Sequence, residues 1–239
     1  VNLSQSTNDA YPTALKVALI KSNEGLTSAL SDLVASLKGK SDEFAHVIKL
    51  GRTQLQDAGS PLSDFELLRE IQKEEGLPIR IHMYVSDGED ALEFLDKGPF
   101  LDSEHMLTAR GIKLYADGAI GSRGAAFFEK YDDYETKGFL IFQKKETMPK
   151  LIKALIKGIQ IQTHAIGDLA NRVTLDWYEE AFNSVEPANR MIMDPRWRIE
   201  HSQNIQPIDQ KRFADLAVIA SMQPSHAIGD LHFAHKRLG

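Results

Sequence analysis

Residues 158–168 read GIQIQTHAIGD, a pattern that predicts a strand followed by a turn and a helix. Isoleucine and glutamine alternate over 159–162, which is typical of a strand, and Gly167 lets the backbone turn into the amphipathic run LANRVTLDWYEEAF. His164 therefore lies at the carboxyl end of the predicted strand. In β/α barrels and open α/β sheets the loops after the strands build the active site at that end. Taken alone, His164 is explained equally well as a core or surface histidine that hydrogen-bonds a neighbour.

Strand and helix patterns alternate through the rest of residues 59–239. The character of the chain changes at GSPLSDF, residues 59–65, which we interpret as a domain boundary. Amphipathic helical patterns such as MPKLIKALIKG lie between apolar runs, and repeated β-then-α units imply a parallel sheet. Strands are predicted near residues 79–85, 112–116, 159–163, 197–201 and 216–222.

Groups that can bind a metal lie on three of these strands: Lys113, His164 and His201. Neutral imidazoles at neighbouring strand ends favour a divalent metal, which would acidify a bound water and polarise a substrate carbonyl. Lys113 leaves two alternatives, because an ammonium group repels a metal ion. It pairs with an acid such as Asp117 in a structural ion pair, or it is carboxylated and becomes a ligand.

Composition narrows the class of protein. The chain has 239 residues, a net charge of −6 and no cysteine, which excludes disulfides and thiolate metal sites. Acids and bases are interspersed, so neither nucleic acid nor a membrane surface is expected as a partner. No run reaches membrane-spanning length and no signal peptide is evident, so a cytoplasmic location is expected. The first residues, VNLSQ, lack a methionine, which indicates processing, truncation or a fragment.

The first 58 residues show helical patterns only. Leucines recur at heptad-compatible spacing, so one long helix is predicted over residues 13–38, with an apolar seam for a partner helix. The flanking stretches SQSTNDAYPT and GRTQLQDA are dense in hydroxyl and amide side chains. They serve either as helix caps or as a neutral cradle for a carboxylate substrate.

This first segment resembles the aspartase/fumarase superfamily, through SQSTNDAYPTA and VIKLGRTQLQDA. The form TQLQ is closer to aspartate ammonia-lyases, whose fold is a helical bundle assembled as a tetramer. The family's third signature, a loop with the catalytic serine, occurs nowhere in the sequence. The resemblance implies further copies of the chain as partners and the following residues as ligands of substrate carboxylates: Ser6, Thr7, Asn8, Thr53 and Gln54.

Residues 60–239 resemble the amidohydrolase superfamily, in the branch with formamide deformylase-like proteins. The resemblance is carried by GIKLYADGAIGSRGAAF, IQTHAIGD, WRIEHSQ and SMQPSH. It implies a (β/α) barrel that hydrolyses amide or other C–N bonds of a small molecule with a divalent metal, zinc being the first candidate. The superfamily's HxH pair is absent, and the sequence ends before the last-strand aspartate. By the resemblance Lys113, His164 and His201 are metal ligands on the fourth to sixth strands, and Asp117, Gln223 and His226 are catalytic candidates.

The chain is thus predicted to be chimera-like, with a helical segment at 1–58 before a partial TIM-type barrel at 59–239. The α/β fold class follows from the second part. A metal-dependent hydrolase is the first functional interpretation, an aspartate ammonia-lyase the second, and a catalytically silent chimera or fragment the third. Since each part lacks residues that complete its chemistry, little activity of either kind is expected.

Overall fold

The computed structural model describes residues 31–36, 38–39 and 54–239. The chain divides into two compact units, Val1–Arg52 and Thr53–Gly239. In the first unit residues 31–36 and 38–39 are helical, in agreement with the predicted helix over that part. The rest of the predicted helix lies outside the described residues.

The second unit is built on one sheet with parallel strands in the order β1-β2-β4-β5-β6-β7, and β3 pairs antiparallel with β4. All five predicted strands are present and parallel, as the alternation of strand and helix patterns indicated. The strands are β1 Gln54–Ser60, β2 Arg80–Ser86, β3 Phe100–Leu101, β4 Leu107–Tyr115, β5 Gln160–Ala165, β6 Arg198–His201 and β7 Ile219–Ser221.

Helices follow most of the strands and cover the apolar side of the sheet. Trp197 and Tyr178 are both almost fully buried in this core, with ring centroids 4.9 Å apart. Within the described residues, no helix has the length and apolar character needed to cross a membrane. The helices are α1 Leu62–Glu74, α2 Glu89–Lys97, α3 Lys144–Lys157, α4 Asp168–Ser184, α5 Pro207–Asp215, α6 His226–Gly229 and α7 Ala234–Leu238.

The prediction of a purely helical pattern up to residue 58 is wrong at its end, because residues 54–60 form β1. This strand pairs in parallel with β2 and crosses the predicted boundary at 58/59, while the two compact units divide at 52/53. Its sequence, QLQDAGS, carries polar residues on one face and only one large apolar residue, so it lacks the apolar run that marked the other strands.

Hydrogen bonds between side chains of distant strands show that the sheet is curved. Gln56 on β1 donates to the Tyr84 hydroxyl (3.0 Å), which donates to Gln160 on β5. Arg198 on β6 reaches back to Gln56 Oε1 at 3.3 Å, although three strands lie between β1 and β6 in the sheet order. A flat sheet with strands about 4.8 Å apart could not bring these side chains together. The sheet is therefore a partial barrel, and these polar side chains lie on its concave face.

Candidate functional site

The carboxyl ends of three adjacent strands bring together Lys113, His164 and His201. Lys113 lies beside Gln162 across the β4–β5 pair, two residues before His164, and His201 lies beside Ala165 across the β5–β6 pair. The imidazole rings of His164 and His201 are in edge-to-face contact, with centroids 4.6 Å apart. The three strand-end residues predicted to converge therefore lie on neighbouring strands at the same end of the sheet.

Each of the two imidazoles has one ring nitrogen engaged with an oxygen acceptor. His164 Nε2 lies 3.1 Å from the Gly118 carbonyl oxygen, and His201 Nδ1 lies 2.7 Å from Gln223 Oε1. Since a carbonyl oxygen only accepts, these nitrogens carry the proton in the neutral rings. The nitrogens that remain for a metal are His164 Nδ1 and His201 Nε2, and the arrangement matches the way metal-binding histidines are usually oriented.

The backbone of β6 places the His201 side chain. Successive side chains of a regular strand point to opposite faces, so Glu200 and His201 would lie on opposite faces of the sheet. Because Glu200 is paired with His164 across β5 and β6, His201 would then point away from His164. The His201 ring nevertheless contacts His164. His201 has φ +74° and Ser202 has φ +45°, in the left-handed region that non-glycine residues seldom adopt. This departure from strand geometry redirects His201, at a cost on the order of 1–3 kcal/mol that is typical of functional sites.

Burial lowers the pKa of His201, and the neighbouring His164 and the charge of Lys113 lower it further. The imidazole is thereby kept neutral, which is the form that binds a metal. Burial also lowers the pKa of Lys113 to about 8, against an opposing effect of Glu200. The Lys113 Nζ atom lies 5.0 Å from the Tyr115 ring centroid.

The structural ion pair between Lys113 and Asp117 is absent from the described residues, where Lys113 has no ion-pair partner. Gly59 makes room for the lysine, because a Cβ atom there would lie 2.9 Å from Lys113 Cγ. The Asp117 carboxylate instead accepts hydrogen bonds from the backbone amides of Ala126 (2.9 Å), Ile166 (3.0 Å) and Gly167 (2.8 Å). Both of its oxygens are thus engaged by backbone groups.

A cavity of about 700 Å³ opens beside His201. Gln223 and His226, two of the predicted catalytic candidates, line it together with apolar residues such as Ile120 and Leu231. The His226 ring centroid is 5.4 Å from that of His201. The cavity therefore adjoins His201 and His226 and has the size of a small-molecule site.

Two acidic side chains were not predicted: Asp230, which lines the cavity, and Glu200 on the concave face. Asp230 Oδ2 lies 3.3 Å from His226 Nδ1 and also accepts a hydrogen bond from Gln203. Glu200 accepts hydrogen bonds from Arg198 (2.7 Å) and Ser221 (2.6 Å) on the concave face. The four-residue spacing of His226 and Asp230 was the available signal for Asp230, since residues four apart on a helix share a face.

Of the lyase-like residues, only Gln54 lies within the described part of the chain. It is exposed at the amino end of β1, beside Arg80 of β2, and so at the opposite end of the sheet from His164. Ser6, Thr7, Asn8 and Thr53 lie outside the described residues. Among the residues that the structure describes, no group of three or more His, Asp or Glu side chains is arranged to hold a metal. The candidate donor set is therefore two imidazoles with Lys113.

The chain is similar to two kinds of known protein, over stretches of different length. Protein LONG AFTER FAR-RED 3 of Arabidopsis thaliana is 39% identical over 146 residues, which are 61% of this chain and 24% of that protein. The aspartate ammonia-lyase of Helicobacter pylori is 57% identical over 58 residues, 24% of this chain and 12% of the lyase. The chain thus spans only a minor part of the length of these relatives.

A crystal structure described as an uncharacterized metal-dependent hydrolase from Pyrococcus furiosus superposes with a TM-score of 0.66 and 29% sequence identity. The similarity covers 82% of this chain and 39% of that protein. The model of the amidohydrolase family matches residues 12–239, nearly the whole sequence. The chain belongs to the amidohydrolase family.

Proposed function

We propose that the strand ends of β4, β5 and β6 bind a divalent metal that serves the hydrolysis of an amide or another C–N bond. The observation that carries the proposal is the contact between His164 and His201, with one nitrogen of each ring held by an oxygen acceptor. The similarity to a metal-dependent hydrolase supports it. A divalent ion held there would acidify a water molecule and polarise the substrate carbonyl.

The donor set fits a borderline metal such as zinc, for which neutral imidazoles are common ligands. Lys113 fits if its neutral amine adds to carbon dioxide, a reaction that forms a carbamate and releases one proton. The carbamate supplies an anionic oxygen where an ammonium would repel the metal. A pKa of about 8 leaves part of the lysine population as the neutral amine that this reaction needs.

The chain's own residues would orient the ligands and the substrate. Gln223 Oε1 holds the Nδ1–H of His201, so Nε2 is the donor left for the metal. His226 lines the cavity and is oriented by Asp230, which places it to contact a bound substrate. The HxH sequence is absent, so we expect weak metal binding and slow turnover from this chain alone.

Titration with Co²⁺, followed through its visible absorption, tests the metal site directly. We expect His164→Ala and His201→Ala to weaken binding at least tenfold, about 1.4 kcal/mol each. His105→Ala is the matched control, because His105 is exposed and precedes β4 at the opposite end of the sheet. Equal affinity in all three variants, or a loss in His105→Ala, would contradict the proposal. Any hydrolysis of N-acyl substrates should disappear with chelator and return with metal.

Aspartate ammonia-lyase activity is a second candidate, favoured by the 57% identity to a lyase over 58 residues. Conversion of aspartate to fumarate, followed by ultraviolet absorbance, tests it. Activity that survives both chelation and His164→Ala would support the lyase. A chain that binds no metal and converts neither substrate would correspond to the third interpretation, a catalytically silent chimera.

A further inference from the structure

We propose that Asp117 is a positioning residue that fixes the orientation of His164, rather than a base that acts on substrate. Its side chain is fully buried, and three backbone amides donate to its two carboxylate oxygens. A catalytic base needs a free lone pair within reach of the reacting proton. Asp117 is absent from the cavity lining, and its two oxygens face these amides and the nearby His164 Nε2.

The three amides belong to two different loops, which Asp117 joins. Ala126 lies in the long segment after β4, whereas Ile166 and Gly167 form the turn between β5 and α4. The Ala126 carbonyl in turn accepts the amide of Leu169 at 3.1 Å, at the start of α4. A Cβ atom at Gly167 would lie 2.0 Å from the Ala126 oxygen, so only glycine allows this approach.

The joined loops determine what His164 meets. Gly118, the residue after Asp117, places its carbonyl oxygen 3.1 Å from His164 Nε2, and Asp117 Oδ1 lies 3.4 Å from the same nitrogen. Two acceptors therefore face Nε2, which favours the tautomer with the proton on Nε2. Nδ1 is then the free donor. Without the carboxylate, the Gly118 carbonyl loses its anchor and the other tautomer becomes accessible.

The link to metal binding rests on the proposed function, and Asp117→Asn tests it. The asparagine supplies one acceptor oxygen and turns an NH₂ group toward backbone N–H donors, so the loops lose their common anchor. We expect the affinity for Co²⁺ to fall 10–100-fold, as is usual when the partner of a ligating histidine is lost.

Asp209→Asn is the matched control for a general loss of stability. Asp209 and Asp117 are each only 1% exposed, but Asp209 is paired with Arg172 at 2.6 Å and Arg212 at 3.3 Å on α5. We expect Asp209→Asn to destabilise the fold while the Co²⁺ affinity stays within twofold of wild type. An affinity loss no larger in Asp117→Asn than in Asp209→Asn would overturn the proposal.

The tautomer of His164 is measured independently of metal, from the ¹⁵N chemical shifts of its ring in the metal-free chain. We expect the proton on Nε2 in wild type and a mixture of tautomers in Asp117→Asn. A proton on Nδ1 in wild type would overturn the proposal even if Asp117→Asn fails to fold. Should wild type bind no Co²⁺, the metal-site proposal fails, while the ¹⁵N shifts still decide the role of Asp117.

Discussion

Lys113 carries a positive charge that the folded chain disfavours. The residue is 4% exposed, and burial lowers its pKa from 10.5 to about 8. Between these pH values the unfolded chain binds more protons than the folded chain, so stability is lost as the pH falls from 10.5 to about 8. A residue kept at such a cost is a candidate for function rather than for stability.

Lys113→Met should therefore stabilise the fold while it removes a ligand candidate. We expect the free energy of unfolding at pH 7 to rise by about 1–3 kcal/mol, because each pKa unit corresponds to about 1.4 kcal/mol. The gain should vanish as the pH approaches 10.5. Urea denaturation at several pH values measures it, with Lys145→Met as the control because Lys145 is 76% exposed. A Lys113→Met variant that is less stable than wild type at pH 7 would contradict this prediction.

Individual residues of the site were predictable where they end an alternating strand. His164 and His201 end runs in which apolar and polar residues alternate, so their place at the sheet edge could be read from the sequence. Their tautomers could not, because these depend on Gly118 and Gln223, which fold against them from other loops. The left-handed backbone at His201 has no sequence signal, since glycine is absent there.

Among the strands, the glycine in β4 allows a side chain of β2 to reach across β4 and contact a side chain of β5. The Tyr84 ring passes over Gly111 to reach Gln160, and a Cβ atom at Gly111 would lie 2.2 Å from the ring. Gly111→Ala should cost about 1–3 kcal/mol through overpacking. In a Tyr84→Leu background the same substitution should cost at least 0.5 kcal/mol less, a coupling expected of residues in contact. Urea denaturation of the four proteins measures this cycle, and strictly additive costs would contradict the contact.

The strands differ in how well they could be predicted, and burial explains why. β5 and β6 carry isoleucines that pack into the core, whereas β1 places glutamines on the concave face and so resembles a polar loop. β4 begins at Leu107, five residues before the predicted start, because Leu107 and Ala109 are buried despite the polar Thr108 between them. β1 and β4 both pair with β2. This pairing, which the local sequence does not encode, determines where the two strands form.

The whole chain shows two similarities of different extent. The amidohydrolase family model matches residues 12–239, while an aspartate ammonia-lyase is 57% identical over 58 residues. The curvature of the sheet was expected from the resemblance to a barrel. The hydrogen bond from Arg198 to Gln56 demonstrates this curvature. It joins residues 142 positions apart, so it could not be derived from the local sequence pattern. Intact mass with peptide mapping across residues 56–62 would show whether the chain is covalently continuous there.

We propose that His164 and His201 share one metal ion at the carboxyl end of the sheet. Anomalous diffraction from crystals soaked in zinc locates the ion directly. We expect a single strong peak about 2.0–2.1 Å from both His164 Nδ1 and His201 Nε2, the usual zinc–imidazole distance. A peak bound only by other side chains, or full zinc occupancy elsewhere with both imidazoles unliganded, would contradict the claim.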